Sequence, residues 1–136
     1  MWLVSDTMFV IVHVLMTLLN WRYGMYGFTP SSWLNFACSV AYCVFMFFYA
    51  YFNNKSRLGH VIGVLQLAGA VITLAVSLTQ VDAVLLGLLV ALLLVPFIGL
   101  TALVKGNAGI MLIIAICLVL LVIRLYKRKQ GKQYTT

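Results

Sequence analysis

Runs of about 20 apolar residues, separated by very short polar gaps, dominate this chain. A helix needs about 20 apolar residues to cross the hydrocarbon core of a bilayer. Only helices and closed barrels satisfy their backbone groups there, and the gaps are too short for the alternating strands of a barrel. The sequence therefore predicts an all-α polytopic bundle of transmembrane helices. The runs cover residues 3–20, 33–52, 61–79, 83–104 and 109–126.

Composition excludes a soluble alternative. The chain of 136 residues is 65% hydrophobic and 8% charged, whereas soluble domains are roughly half apolar and a quarter charged. A soluble domain of this size still exposes about a third of the surface of its unfolded chain. It has too little interior to hide these side chains, so we expect lipid to surround them.

The number of spans depends on the last two apolar runs. We expect one transmembrane domain, residues 1–126, with five spans and short loops, followed by a basic tail, residues 127–136. Pro96 can kink the fourth run, and the break at residues 105–107 is small. Four spans, with one of these two runs re-entrant, is the alternative. The segment before Asp6 carries no Lys or Arg, so we expect the first run to stay as a span.

Lys and Arg residues predict the orientation, because positive residues near span ends are retained in the cytoplasm. With five spans, Lys55, Arg57 and Lys105 share one side, and a larger group of basic residues lies on the other side, together with the C-terminus. The C-terminus is therefore predicted to be cytoplasmic, and the membrane to be the cell membrane. With four spans, both ends are cytoplasmic. The larger group comprises Arg22, Arg124, Lys127, Arg128, Lys129 and Lys132.

The basic residues at and just after the end of the last apolar run have a second expected role. Long cationic side chains reach the headgroup region, and each one near an anionic leaflet contributes about 1 kcal/mol. We expect them to contact lipid headgroups or a cytoplasmic partner. These residues are Arg124, Lys127, Arg128, Lys129 and Lys132.

Polar and small residues in the first three runs follow helical stripes. In the first run the stripe is Asp6, His13, Thr17 and Asn20. In the second run it is Asn35, Cys38, Tyr42, Phe45 and Tyr49. In the third run it is Gly59, Gly63, Gln66, Ala70, Thr73, Ser77 and Gln80. Steps of three, four and seven place each set on one helix face. We expect these faces to point at one another, with Gly59, Gly63 and Ala70 allowing close helix packing.

The stripes have two interpretations. They hold the helices together through small residues and interhelical hydrogen bonds, or they line a polar pathway. The second interpretation depends on His13, because an ionisable group near the middle of a span indicates function and histidine changes charge near neutral pH. A neutral His13 bonded to Tyr42 or Tyr49 is the alternative. The fourth and fifth runs are almost wholly apolar, so we expect them at the periphery of the bundle or against other subunits.

The sequence offers little catalytic chemistry. It has no pair of carboxylates at a plausible site and no nucleophile with a nearby base, and Cys38, Cys43 and Cys117 lack the spacing of metal ligands. We therefore expect no enzyme activity, no metal and no cofactor. No exposed basic surface with interleaved aromatics is evident, which argues against nucleic-acid binding.

These observations predict a small membrane protein that acts as a transport or channel element, or as a subunit of a larger transport assembly. Its expected partners are the lipid bilayer and either further copies of the chain or other membrane subunits, because five short helices enclose only a narrow interior. Two alternatives stay open. One is an assembly subunit without transport activity, and the other is a holin-like or toxin-immunity membrane protein.

Overall fold

The computed structural model describes the backbone of residues 5–26, 32–79, 92–102, 104 and 107–133, and side chains for most of these. Every element in these ranges is helical, as the sequence predicts. The helices are α1 (Asp6–Tyr26), α2 (Ser32–Phe52), α3 (Arg57–Thr79), α4 (92–98), which continues into a 3-10 turn (Gly99–Ala102), and α5 (Asn107–Gln133).

Three of the described helices are long and apolar enough to cross a membrane. Two shorter apolar helices, Asp6–Trp21 and Leu92–Thr101, accompany them. The prediction of a membrane protein is supported, whereas the prediction of five spans is not confirmed. The three long segments are Trp33–Phe52, Arg57–Thr79 and Asn107–Gln130.

The long helices alternate in direction. We call the end where α1 begins the basic end. There, the hydroxyl of Tyr49, near the end of α2, lies 2.8 Å from a carboxylate oxygen of Asp6, and Arg124 of α5 contacts the carbonyl of Ser56, just before α3. Helices α1 and α3 therefore run away from the basic end, and α2 and α5 run toward it.

Helix α3 ends where α5 begins, at the opposite end of the bundle. The hydroxyl of Ser77 lies 2.6 Å from the amide oxygen of Asn107. Since α3 and α5 are antiparallel and meet there, the chain between these residues starts and finishes at the same end.

The described part of α4 covers only part of the length of the bundle. Its first described residue, Leu92, lies at the level of His13, about a third of the way along α1. Its last turn lies beside Asn20, close to the opposite end. The predicted fourth span was 83–104, and residues 83–91 lie outside the described residues. The described part runs from the middle of the bundle to one end rather than across it.

The expected peripheral position of the fourth run is wrong. Four successive residues of α4, and part of the following turn, are buried. The backbone of α4 enters the space between α1 and α2, and the ring of Phe97 packs edge-on against Tyr42 at 4.9 Å. Helix α5 is peripheral on one face only, since Ile113, Cys117 and Leu120 belong to the core. The buried residues of α4 are Leu94, Val95, Pro96, Phe97 and, in the following turn, Leu100.

Large apolar side chains cover the outside of the bundle, while polar groups lie inside. Leu18, Trp33, Val61 and Val122 are each more than half exposed, and Asn20, Ser39 and Gln66 are fully buried. A soluble protein shows the opposite distribution. This arrangement suits a hydrocarbon environment, in which polar groups must find partners within the protein.

Candidate functional site: a polar column inside the bundle

Three polar layers lie along the interior of the bundle, and α1 contributes one residue to each. Asp6, His13 and Asn20 are seven residues apart, so successive layers are separated by about 10 Å along the helix. We call them the end layer, the middle layer and the α4 layer. The antiparallel α2 supplies Tyr49, Tyr42 and Ser39 to the same layers, in reverse order along the chain.

The middle layer joins four helices. Nδ1 of His13 lies 2.6 Å from the hydroxyl of Tyr42, and the amide of Gln66 donates to the same hydroxyl at 3.2 Å. The other ring nitrogen of His13 lies 3.2 Å from the carbonyl oxygen of Leu92, and Gln66 also contacts the carbonyl of Leu93 at 3.4 Å. The structure thus brings together three residues that the sequence predicts for the polar seam.

The hydrogen bonds of the middle layer are consistent with a neutral imidazole. A carbonyl oxygen only accepts, so Nε2 of His13 carries a proton and donates it to Leu92. Gln66 donates to Tyr42, so the single hydroxyl proton of Tyr42 is free to point at Nδ1 of His13. A neutral imidazole therefore completes the network. This is the arrangement expected if His13 is a neutral histidine that bonds to a tyrosine.

Pro96 explains why the carbonyl of Leu92 needs a partner from another helix. In a regular helix this carbonyl accepts from the backbone N–H four residues later, and residue 96 is a proline without that N–H. Buried backbone acceptors are costly to leave unpaired. His13 supplies the missing donor at 3.2 Å, so α1 completes the hydrogen bonding of α4.

In the α4 layer, closer to the opposite end, side chains of neighbouring helices likewise bind backbone groups of α4. The side-chain amide of Asn20 donates to the carbonyl of Pro96 and to the hydroxyl of Ser39, each at 3.2 Å. The backbone N–H of Gly99 donates to the same hydroxyl at 3.0 Å, at the position where α4 gives way to the 3-10 turn. The carbonyl of Pro96 is one of the last carbonyls of α4, which the end of a helix leaves without a partner, and Asn20 supplies one.

Gly99 allows this contact because it has no side chain. A Cβ atom at this position would overlap the backbone carbonyl of Asn35 and approach Ser39 Oγ to 2.6 Å. Neither Gly99 nor Ser39 was predicted as a site residue. The steps from Asn35 to Ser39 and from Ser39 to Tyr42 are four and three, so the stripe of α2 passes through Ser39. The predicted positions Cys38 and Phe45 are only half-buried.

The end layer contains the two charged side chains of the column. A carboxylate oxygen of Asp6 accepts hydrogen bonds from Tyr49 and from the amide of Asn53, both at 2.8 Å. The guanidinium of Arg124 lies 4.9 Å from the centre of the Tyr49 ring and donates to the carbonyl of Ser56 at 3.4 Å. Tyr49 thus connects the acid of α1 to the base of α5.

The expectation that Arg124 extends to lipid headgroups is wrong in this structure. Its side chain is only 3% exposed, because a Cβ atom is missing at Gly59, where it would overlap the guanidinium. Helix α5 also continues to Gln133, so position 124 lies inside the helix rather than at its exit. Arg124 lies near the end of the last apolar run, where the sequence alone predicts an exposed cation. Its burial could not be recognised from the sequence, because it depends on Gly59 of another helix.

The other tail residues lie nearer to the surface. The ammonium of Lys127 donates to the hydroxyl of Tyr51 at 2.9 Å and lies 4.1 Å from the centre of that ring. Arg128 and Lys129 are exposed, and the side chain of Lys132 lies outside the described residues.

The remaining predicted seam residues have local roles. Thr17 and Thr73 each donate to a carbonyl of their own helix at 2.8 Å. Ser77 is exposed and contacts Asn107, and Gln80 lies outside the described residues. Gly63 faces Leu121 of α5, and Ala70 is fully buried. The small-residue face of α3 therefore packs against the chain's own α5.

Two cavities adjoin the middle layer. A pocket of about 550 Å³ opens between α1, α3 and α4 beside the imidazole, and we call it the His13 pocket. A much smaller cavity of about 10 Å³, the size of one water molecule, lies between Gln66 and Arg124. The His13 pocket is lined chiefly by His13, Thr17, Trp21, Ile62, Leu92 and Leu93.

The part of the chain that the structure describes contains no cluster of three or more His, Cys, Asp or Glu side chains that could hold a metal ion. Cys38 and Cys43 are half-buried and Cys117 is buried, all as free thiols. Comparison with known proteins gives no matching family model, no matching curated protein and no matching solved structure. The polar column is therefore the basis for a functional hypothesis.

Proposed function

We propose that this chain is a small, non-catalytic transport element of the cell membrane. In this proposal, α1, α2, α3 and α5 are four spans, and α4 is a re-entrant half helix that enters from the opposite end. The observation that carries the proposal is the backbone of α4, which is bound in the middle of the bundle by His13 at 3.2 Å. Interrupted helices that meet polar groups near the midplane are common at the binding sites of transporters.

The distribution of positive charge supports four spans. In this arrangement the basic end carries Lys and Arg residues from the start of α3 and from α5, and the opposite end carries only Arg22 and Lys105. The positive-inside rule then assigns the basic end, and with it both termini, to the cytoplasm. The residues of the basic end are Lys55, Arg57, Arg124, Lys127, Arg128, Lys129 and Lys132.

Labelling of single cysteines tests this topology. In a background without native cysteines, Ser5→Cys and Thr136→Cys should react with an impermeant maleimide from the same, cytoplasmic side of sealed vesicles. Lys105→Cys should react from the other side. Labelling of positions 5 and 136 from opposite sides would establish an odd number of spans and overturn the four-span proposal.

The middle layer is the proposed working part of the transport element. His13 is an ionisable group within the first helix, where a charge is costly and polar groups usually serve function. It is only half-buried and lines the pocket of about 550 Å³ beside the column. Its bonds to Tyr42 and to Leu92 connect three helices, so a change at His13 is transmitted to α4.

Flux through proteoliposomes tests the role of His13. Vesicles that contain a pH-sensitive dye, with a potassium diffusion potential set by valinomycin, report proton entry across pH 5 to 8. We expect the protein to accelerate entry and His13→Ala to abolish the acceleration. His13→Gln is the matched control, because its amide accepts from Tyr42 and donates to Leu92 but does not titrate. If proton entry is the same for the native protein and for His13→Gln at every pH, His13 has a packing role only.

A further inference from the structure

We propose that the His13 pocket binds a neutral, largely apolar small molecule that carries one hydrogen-bond donor and enters from the lipid phase. The inference deepens the proposed function, on which it rests, by naming a class of ligand that binds beside His13. The pocket, of about 550 Å³, falls within the range of about 300–1,000 Å³ that is typical of small-molecule sites.

The position of the pocket selects a ligand dissolved in the membrane. Its long side follows α1 from His13 to Trp21, a distance of about 12 Å along the helix axis. The neighbouring side chains Val14 and Leu18 also line it, and both are about half or more exposed on the outer, apolar face of the bundle. A molecule reaches this site by moving sideways between α1 and α3.

The polar atoms of the pocket select a donor. Both ring nitrogens of His13 are engaged, one with Tyr42 and one with the carbonyl of Leu92. The hydroxyl of Thr17 donates within its own helix. A carbonyl oxygen accepts two hydrogen bonds, and Pro96 removes the helical donor of Leu92, so this oxygen retains an acceptor site beside the imidazole.

The described lining of the pocket favours a neutral ligand. None of the described side chains that line the His13 pocket is Lys, Arg, Asp or Glu, and the hydrogen-bond network of the middle layer is complete with a neutral His13. A charge in a pocket at this depth would remain uncompensated, which is costly in a low-dielectric interior. A hydroxyl or amide N–H on an apolar body matches what the pocket offers.

Quenching of Trp21 fluorescence measures this binding directly. The variant Trp2→Phe/Trp33→Phe retains Trp21, which lines the pocket, as the one tryptophan of three. The probe is 11-bromoundecanol, titrated into the protein in nanodiscs, with 1-bromoundecane as the matched molecule that lacks the donor. We expect saturable quenching by the alcohol at a concentration about tenfold lower than by the alkane, which corresponds to the contribution of one well-placed hydrogen bond.

Two variants separate the pocket from general partitioning into lipid. Val14→Phe fills the pocket and should raise the half-saturating concentration of the alcohol at least about fivefold, whereas Val44→Phe, on the exposed face of α2, should leave it unchanged. Pro96→Ala returns a helical donor to Leu92 and should reduce the preference for the alcohol over the alkane.

Non-saturable quenching, or quenching that Val14→Phe does not change, would overturn the binding site. Saturable quenching that is equal for the two probes would show an acyl-chain groove and overturn the requirement for a donor. Because binding is measured without flux, these outcomes are independent of the proton-entry assay. A protein that conducts protons but does not bind the alcohol refutes this inference alone.

Discussion

The two outer layers of the column are built in different ways. At the basic end, Asp6 and Arg124 are linked through the side chain of Tyr49. Near the opposite end, Asn20 and Ser39 bind backbone groups of α4. The first layer depends on which side chains are present, and the second depends on how closely a backbone approaches. Substitutions should therefore disturb the two layers to different extents.

The largest expected effect is at Gly99. Gly99→Ala places a methyl group against the carbonyl of Asn35, a backbone group that cannot move aside, so we expect a loss of about 3 kcal/mol in the free energy of unfolding. Gly59→Ala is the matched variant at the basic end. There the methyl group meets only side chains, the guanidinium of Arg124 and the ring of Tyr49 at 2.6 Å. Side chains can shift further than a backbone carbonyl, so the loss should be smaller, about 1 kcal/mol. Denaturant unfolding in detergent micelles measures both, and equal losses would contradict the contrast between the layers.

Removal of the buried cation should have the next largest effect. Arg124→Gln takes away the positive charge that faces Tyr49 and leaves Asp6 without an opposite charge, so we expect a loss of about 2 kcal/mol. In an Asp6→Asn background the same substitution should cost about 1 kcal/mol less. A double-mutant cycle measured by unfolding gives this coupling. Additive losses would show that Tyr49 does not connect the two charges.

Two serines, Ser39 in the α4 layer and Ser56 at the basic end, provide a second comparison of the two layers. Ser39→Ala leaves the N–H of Gly99 and the amide of Asn20 without their shared acceptor in a site with no exposure to water, and we expect a loss of about 2 kcal/mol. Ser56→Ala removes the cap of the Gly59 N–H, which water can partly replace, so the loss should be about 1 kcal/mol. The reverse order of the two values would be inconsistent with a buried α4 layer.

The smallest expected effect tests the explanation for His13. If His13 replaces the donor that Pro96 removes, His13→Ala should cost less in a Pro96→Ala background, where the backbone N–H of residue 96 is restored. We expect a coupling of about 0.5–1 kcal/mol between the two positions. Thermal unfolding of the four proteins of the cycle measures it, and zero coupling would remove the link between the proline and the histidine.

The sequence predicted the helices and one face of α1 for a simple reason. Hydropathy and helical periodicity are local properties, and the seven-residue spacing of Asp6, His13 and Asn20 places them on one face before any contact is known. The same periodicity was applied to α2 with an error of one residue, since Cys38 was chosen over Ser39. Either choice fits a step of three or four, and only the approach of Gly99 decides between them.

Two features could not be predicted in this way: the described part of α4 leads back to the end of the bundle where α3 finishes, and Arg124 is buried. An apolar run of sufficient length has the same hydropathy whether it crosses the bundle or returns to the same end. The decisive contact, between Ser77 and Asn107, joins residues whose pairing has no local signature. Likewise, the site of Arg124 exists because Gly59 on another helix leaves room for it.

The way α4 is held has a consequence for biogenesis. Spanning helices can enter a bilayer one at a time because each satisfies its own backbone. Helix α4 cannot, since the carbonyl of Leu92 and the N–H of Gly99 find their partners on α1 and α2. We therefore expect α1 and α2 to be inserted first and α4 to dock afterwards, so that release of the finished protein from the insertion machinery waits for this step.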